Sequence, residues 1–326
     1  MKVIITGGAG FLGTRLAQSL LARGTLADAD GKPRQIGSIV LFDHVAGAAG
    51  SDPRVRTVAG DVSDTATLAQ IVGDDAGAVF HLAAVVSGEA EADFDLGMRV
   101  NLGGTRAVLE ACRRLPRPAR LVFASSVAVF GVPLPEVVTD VTTPTPRASY
   151  GVQKLISELL VGDYTRKGYV DGRSVRLPTI VVRPGKPNKA ASSFASGIMR
   201  EPLDGKRSAC PVPAATALWL LSPERAIDAL VHAYELPAER WGADRSLNLP
   251  GITIRVAGMV EALARVAGRA VAERIVFEPD AAIERIVSTW PSRFETKRAD
   301  ALGFSRDESF DAILAGYIRN QGIRIG

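Results

Sequence analysis

Tyr150 and Lys154 stand four residues apart in a stretch of helical periodicity, Ser149–Lys167, so their side chains share one face of one helix. A phenol with an ordinary pKa near 10 is a poor base at neutral pH, and an ammonium beside it favours the phenolate. Each unit of depression requires about 1.4 kcal/mol of such interaction. Ser126, just after the apolar run Leu121–Ser125, adds a hydroxyl that can hold an oxygen on which charge develops. A base, a cation and a hydrogen-bond donor of this kind suit removal of a proton from an alcohol. Tyr-x-x-x-Lys by itself is commonplace on exposed helices, and only its accompanying residues give it meaning.

The accompaniment begins at the second residue. The β-branched run Lys2–Thr6 leads into Gly7-Gly8-Ala9-Gly10-Phe11-Leu12-Gly13 and then into a helical pattern, Phe11–Arg23. Gly7, Gly10 and Gly13 share a three-residue spacing. Absent Cβ atoms allow a tight turn and close approach of backbone to a ligand, while the free N–H groups at a helix start attract phosphate. Strand, glycine loop and helix in immediate succession point to a dinucleotide held by Gly7, Gly10, Phe11, Leu12 and Gly13. Asp43 ends the next apolar run, Ser38–Asp43, where a carboxylate accepts hydrogen bonds from both hydroxyls of an adenine ribose and repels a 2′-phosphate. NAD is therefore expected rather than NADP. The separation of Asp43 from Gly13 exceeds the usual spacing of about 20 residues, the excess falling in the polar stretch 24–37. Asp61 and Val62, after a third run at Arg54–Val58, are candidate contacts for the adenine ring.

Positioning these residues calls for alternating strands and helices. Strands are expected at Lys2–Thr6, Ser38–Asp43, Arg54–Val58, Ala78–His81, Leu121–Ser125 and Val175–Val182, with helices near Phe11–Arg23, Thr65–Val72, Glu91–Arg114 and Ser149–Lys167. That alternation predicts an α/β fold, a doubly wound parallel sheet with helices on both faces. Regularity loosens after Pro184-Gly185. Residues 1–185 are thus expected to form the dinucleotide-binding domain, with 222–250 returning to it and 186–326 forming mainly a smaller C-terminal substrate-binding lid.

The 326 residues are 47% hydrophobic and 23% charged, which suits a folded chain with a sizeable core. Basic residues number 39 and acidic 35, with both signs interspersed. This favours a small anionic ligand over nucleic acid. No apolar run approaches a membrane span, and a strand starting at the second residue leaves no room for a cleaved signal, so a cytoplasmic location is expected. Cys112 and Cys210 have neither metal-ligand spacing nor disulfide density, and His44, His81 and His232 are scattered, so free thiols and no metal are expected.

Taken together, Thr6–Gly13, His81-Leu82-Ala83-Ala84, Asn101, Ser125–Gly131 and Tyr150-Gly151-Val152-Gln153-Lys154 resemble the extended short-chain dehydrogenases/reductases along nearly the whole chain. The resemblance implies a Rossmann fold. It also implies that Tyr150 is the acid/base, that Lys154 orients the nicotinamide ribose and lowers the tyrosine pKa, and that Ser126 polarises the substrate oxygen. Leu82, Ala83 and Ala84 would lie along the cofactor, joined by Asn101, Pro178 and Ile180. A homodimer through helices near Asn101–Arg114 and Ser149–Lys167 is likewise implied.

Within that family, many members are nucleotide-sugar epimerases or dehydratases, and they commonly carry an Asn-Val-Tyr-Gly-Pro-like run after the sixth strand. This chain has Leu177–Lys189 instead, which with Ala190–Arg200 resembles the D-erythronate dehydrogenase group. The resemblance implies oxidation of the C2 hydroxyl of a four-carbon sugar acid, D-erythronate to 2-dehydro-D-erythronate. A small hydroxy acid needs a cation for its carboxylate, and Arg176, Arg183, Lys186 and Lys189 are basic residues near the expected cofactor mouth. Arg183, Lys186, Ser192, Ser193, Ser87 and Thr179 are the candidate substrate contacts. The alternatives are a nucleotide-sugar epimerase or dehydratase that recycles bound NAD, and a non-catalytic NAD-binding sensor, against which the intact Ser126, Tyr150 and Lys154 argue.

Overall fold

A computed structural model describes residues 1–28, 31–47, 50–185 and 190–325. Seven strands form one parallel sheet: β1 (Lys2–Thr6), β2 (Ser38–Asp43), β3 (Val55–Ala59), β4 (Ala76–His81), β5 (Arg120–Ser126), β6 (Asp171–Leu177) and β7 (Ser246–Asn248). Their spatial order is β7-β6-β5-β4-β1-β2-β3. The order reverses between β1 and β4, the switch point outside whose carboxyl ends open α/β sheets bind ligands. Val3, Ile4, Ile5, Val79, Phe80, Leu121 and Val122 are buried throughout, as strands covered on both faces require.

The chain divides into two units. The first comprises 1–126, 148–176 and 227–248, and carries the seven-stranded sheet. The second comprises 127–147, 177–226 and 249–326. It contains a three-stranded sheet ordered Ile252–Arg255, Ala217–Leu221, Thr179–Ile180, and its own core of Ile198, Met199, Leu218, Leu220, Met259, Leu263 and Leu314. Residues 127–147 enter this unit through backbone pairing, in which the Val138 N–H donates to the Arg293 carbonyl (2.9 Å) and the Glu295 N–H to the Val138 carbonyl (2.8 Å). Trp219 is buried as well, stacked on Phe294 at 5.1 Å.

Two elements depart from expectation. The helix anticipated over Glu91–Arg114 is broken into Ser87–Ala92, Phe94–Gly97, a π-helical turn Met98–Gly103 and Gly104–Arg113. Asp93 caps the second piece, its carboxylate accepting from the Leu96 N–H at 2.9 Å, and glycines at 97 and 104 let the Gln153 and Val62 side chains approach. The last strand of the first half likewise stops at Leu177, and after Pro178 the chain pairs elsewhere as Thr179–Ile180. A proline has no N–H to continue the ladder.

Candidate active site

The glycine loop leaves β1 at Gly7 with φ +70°, a conformation for which glycine is suited. A Cβ there would lie 2.7 Å from the Ala83 nitrogen, and one on Gly13 only 2.2 Å from the Gly7 carbonyl oxygen and 2.8 Å from the Gly8 Cα. Helix Phe11–Arg23 starts with Gly10 as its N-cap, no side chain caps it, and no acidic residue occupies its first turn. Its first N–H groups lack intrahelical partners by geometry, so they form an anion cradle. Asp43 closes one side. One oxygen accepts from the Ala9 N–H at 3.0 Å, and the other from the His44 N–H at 2.8 Å. The carboxylate thus fastens the loop to the end of β2, next to where an adenine ribose would lie.

A second wall follows β4. The Ala83 N–H donates to the Thr6 Oγ1 (3.3 Å), Thr6 pairs with His81 Nδ1 (2.6 Å), and His81 Nε2 pairs with Thr105 Oγ1 (2.9 Å). The Thr105 hydroxyl donates to the Asn101 carbonyl at 2.6 Å. With that hydroxyl proton spent, Thr105 accepts from Nε2, and Nδ1 is left to accept from Thr6. Burial pushes the imidazole down to about 3, with the Lys154 charge acting in the same direction, so His81 is a neutral strut. The Asn101 carboxamide accepts from the Val85 N–H (2.8 Å) and donates to its carbonyl (3.1 Å) and to Gln153 Oε1 (2.7 Å). Asn101 therefore acts from behind the 82–86 segment, tying it to the helix that carries Tyr150.

That helix, Ser149–Arg166, packs on β5. Lys154 is 2% exposed, and its Nζ donates to the Ala124 carbonyl at 2.8 Å, two residues before Ser126. The same nitrogen lies 5.7 Å from the centre of the Tyr150 ring and 4.6 Å from that of Phe123. Burial pushes Lys154 down to about 7, and the Glu158 carboxylate one turn further along opposes the shift. The cation expected beside the phenol is in place, and its charge depends on its neighbours.

Arg176 is not available for a substrate carboxylate. It is 9% exposed, its Nε lies 3.0 and 3.1 Å and its second amino group 2.7 Å from the oxygens of Glu158, and its remaining nitrogen donates to Asn248 Oδ1 at 3.2 Å. An arginine on a buried parallel strand needs such a partner. Thr6 and Gln153 lie inside the quoted motifs without a role of their own, and Glu158 and Thr105 lie outside them; the visible signal for Glu158 is its place one turn after Lys154.

Asp61 turns back on its own loop, accepting from the Ser63 N–H (2.8 Å) and hydroxyl (2.7 Å), and Val62 is buried against Gly104. Ser87 starts the short helix after the 82–86 segment. Pro178, Thr179, Ile180, Arg183, Ser192 and Ser193 lie in the second unit. There Ile180 is in register with Leu221, the Arg183 N–H donates to Ser196 Oγ (3.0 Å), and Ser192 precedes helix Ser193–Leu203. Lys186 and Lys189 lie outside the described residues.

A family model described as the NAD dependent epimerase/dehydratase family matches residues 3–219. The chain belongs to that family. Its members' cofactor fits the cradle seen here: uncapped helix N–H groups for a pyrophosphate, no acid in the first turn, and a carboxylate at the end of β2. A D-erythronate dehydrogenase of Cupriavidus necator is 58% identical over 99% of this chain and 99% of its own length. One of Haemophilus influenzae is 46% identical over 98% and 99%, respectively. The structure of the nucleoside-diphosphate-sugar epimerase from Agrobacterium tumefaciens superposes with a TM-score of 0.94 at 40% identity, covering 100% of this chain and 96% of that one.

Proposed function

We propose that this protein oxidises D-erythronate at C2 to 2-dehydro-D-erythronate with NAD, as a D-erythronate dehydrogenase. The observation that carries this reading is full-length identity of 58% to a protein of that name, with Ser126, Tyr150 and Lys154 present and Lys154 seated against both β5 and the Tyr150 ring. Gly7, Gly10, Phe11, Leu12 and Gly13 hold the pyrophosphate, and Asp43 the adenine ribose, with Asp61 and Val62 at the adenine. Leu82, Ala83 and Ala84, braced by Asn101, are assigned to the nicotinamide half, as are Pro178 and Ile180 of the second unit. Bound NAD supplies the hydride acceptor.

The chain's residues do the rest. The Tyr150 phenolate takes the proton from the substrate's C2 hydroxyl, the Lys154 ammonium keeps the phenol acidic enough to do so, and the Ser126 hydroxyl donates to the same substrate oxygen as charge builds on it. With Arg176 committed to Glu158, Arg183 and Lys186 are the cations assigned to the substrate carboxylate, and Ser87, Thr179, Ser192 and Ser193 the hydroxyls assigned to its other oxygens. D-Erythronate deuterated at C2 is expected to deliver its label to the reduced cofactor, and substrate deuterated at C3 to deliver none. Label arriving from C3 would move the chemistry to the wrong carbon.

Two further assignments belong to this reading. Val152 and Leu159, 40% and 67% exposed, recur seven residues apart on one face of helix Ser149–Arg166, which supports a homodimer through the helices near Asn101–Arg114 and Ser149–Lys167. No helix among the described residues is long and apolar enough to cross a membrane. A reaction that returns NADH at every turnover needs a compartment that reoxidises it, and both cysteines are free thiols, which supports the cytoplasm. A second reading, a nucleotide-sugar epimerase, draws on the likeness to the Agrobacterium tumefaciens structure.

A further inference from the structure

We propose that Glu158 is a positioning residue for the dehydrogenation, a buried carboxylate that holds Lys154 and the end of β5 in working register from behind the site. The inference rests on the assignment of Tyr150 and Lys154 made above.

Glu158 is 3% exposed and accepts from three directions: the Ser125 hydroxyl on β5 at 2.5 Å, and two nitrogens of Arg176 on β6, the nearer at 2.7 Å. Arg176 is held in turn by Asn248 on β7 at 3.2 Å. One helix and two strands therefore meet on the Glu158 side chain, and β7 joins them through Arg176. Along β5 the consequences alternate. Ala124 gives its carbonyl to Lys154, Ser125 turns its hydroxyl to Glu158, and Ser126, by the two-residue period of a strand, faces the other way. Two successive residues of β5 are thus pinned to the catalytic helix immediately before the one assigned to the substrate oxygen.

Stability alone does not account for the arrangement, because well-packed apolar residues commonly replace a buried ion pair at no loss. Lys154 gives the acid a second use. The groups that face its Nζ are Tyr150 and Glu158 on its own helix, His81 on β4, the Phe123 ring and Ala124 carbonyl on β5, and, through Glu158, Arg176 on β6. His81 is neutral, and burial works against the ammonium. Glu158 is the carboxylate that opposes burial. Removing its charge lowers the fraction of Lys154 that is protonated, returns the Tyr150 phenol towards its ordinary range, and moves base-dependent activity to higher pH.

The test is the pH profile of kcat/KM for D-erythronate in E158Q, with E158D and Y150F measured beside it. The rising limb of E158Q is expected about one pH unit higher than in the wild type, equivalent to about a ten-fold loss on that limb, with NAD affinity retained. E158D, which keeps the charge on a shorter arm, is expected to restore the midpoint while turning over several-fold more slowly. An E158Q limb that keeps its midpoint, with activity lowered equally at every pH, would mean a purely structural acid and overturn the proposal. If E158Q does not fold, the double variant E158Q/R176M, which removes the buried ion pair as a unit, takes its place: a limb displaced to higher pH supports the proposal, and an unmoved limb overturns it. Y150F separates the two levels. Retained turnover there removes the assignment on which this one rests, whereas an inactive Y150F with an unmoved E158Q limb removes the Glu158 inference alone.

Discussion

Replacement of Tyr150 by Phe lowers kcat for D-erythronate oxidation by about 10³-fold while NAD binds as in the wild type. The magnitude is that of losing a positioned general base, about 4 kcal/mol of transition-state stabilisation. The substitution removes one oxygen and leaves the ring, so its contact with Lys154 at 5.7 Å and the packing of the helix survive. The cofactor cradle is built from β1, β2 and the glycine loop, and none of those bonds involves Tyr150. Steady-state kinetics together with an NAD titration checks both halves. A variant that retained most of its kcat would remove Tyr150 from the proton-transfer step.

The second large effect comes from a single methyl group. Gly13→Ala would place a Cβ 2.2 Å from the Gly7 carbonyl oxygen and 2.8 Å from the Gly8 Cα, and both neighbours are backbone, so the helix start must move away from the loop. Such overpacking costs about 1–3 kcal/mol, and displacing the N–H groups that bind phosphate by the same amount weakens NAD about 100-fold at the upper end. Gly162→Ala provides the contrast. Gly162 lies in the helix Ser149–Arg166 with nothing within 4 Å of its added Cβ, so this change is expected to be neutral or to stabilise by up to about 1 kcal/mol. Calorimetric NAD titration and thermal melts of the two variants read the difference. Equal NAD affinities would show that the close approach at Gly13 is not what shapes the cradle.

What was legible in the sequence was local. Strand, glycine loop and helix occupy the first 23 residues without interruption, and Tyr150 and Lys154 share one helical turn, so spacing alone brings their chemistry together. What escaped is made of partners far apart in the chain. Thr6 meets His81 across 75 residues and His81 meets Thr105 across 24, and no periodicity announces either pair. Glu158 and Arg176 are 18 residues apart on a helix and a strand. A charge in each, seen singly, suggests solvent or, for Arg176, a substrate carboxylate, whereas the sheet buries both. The break at Asp93 and Gly97 was hidden by apolar periodicity that continues through it, and residues 127–147, which have none, gave no sign that they pair with the segment around Phe294.

A dehydrogenase of this kind consumes NAD stoichiometrically at a sugar-acid alcohol. Absorbance at the NADH band, followed after mixing the protein with NAD and D-erythronate, with L-threonate, D-glycerate and a nucleotide sugar in parallel, tests it most directly. Sustained NADH release with D-erythronate, many turnovers per active site, is the predicted result. No release with any sugar acid, accompanied by interconversion of the nucleotide sugar without net NADH, would contradict the account and place the protein among the epimerases.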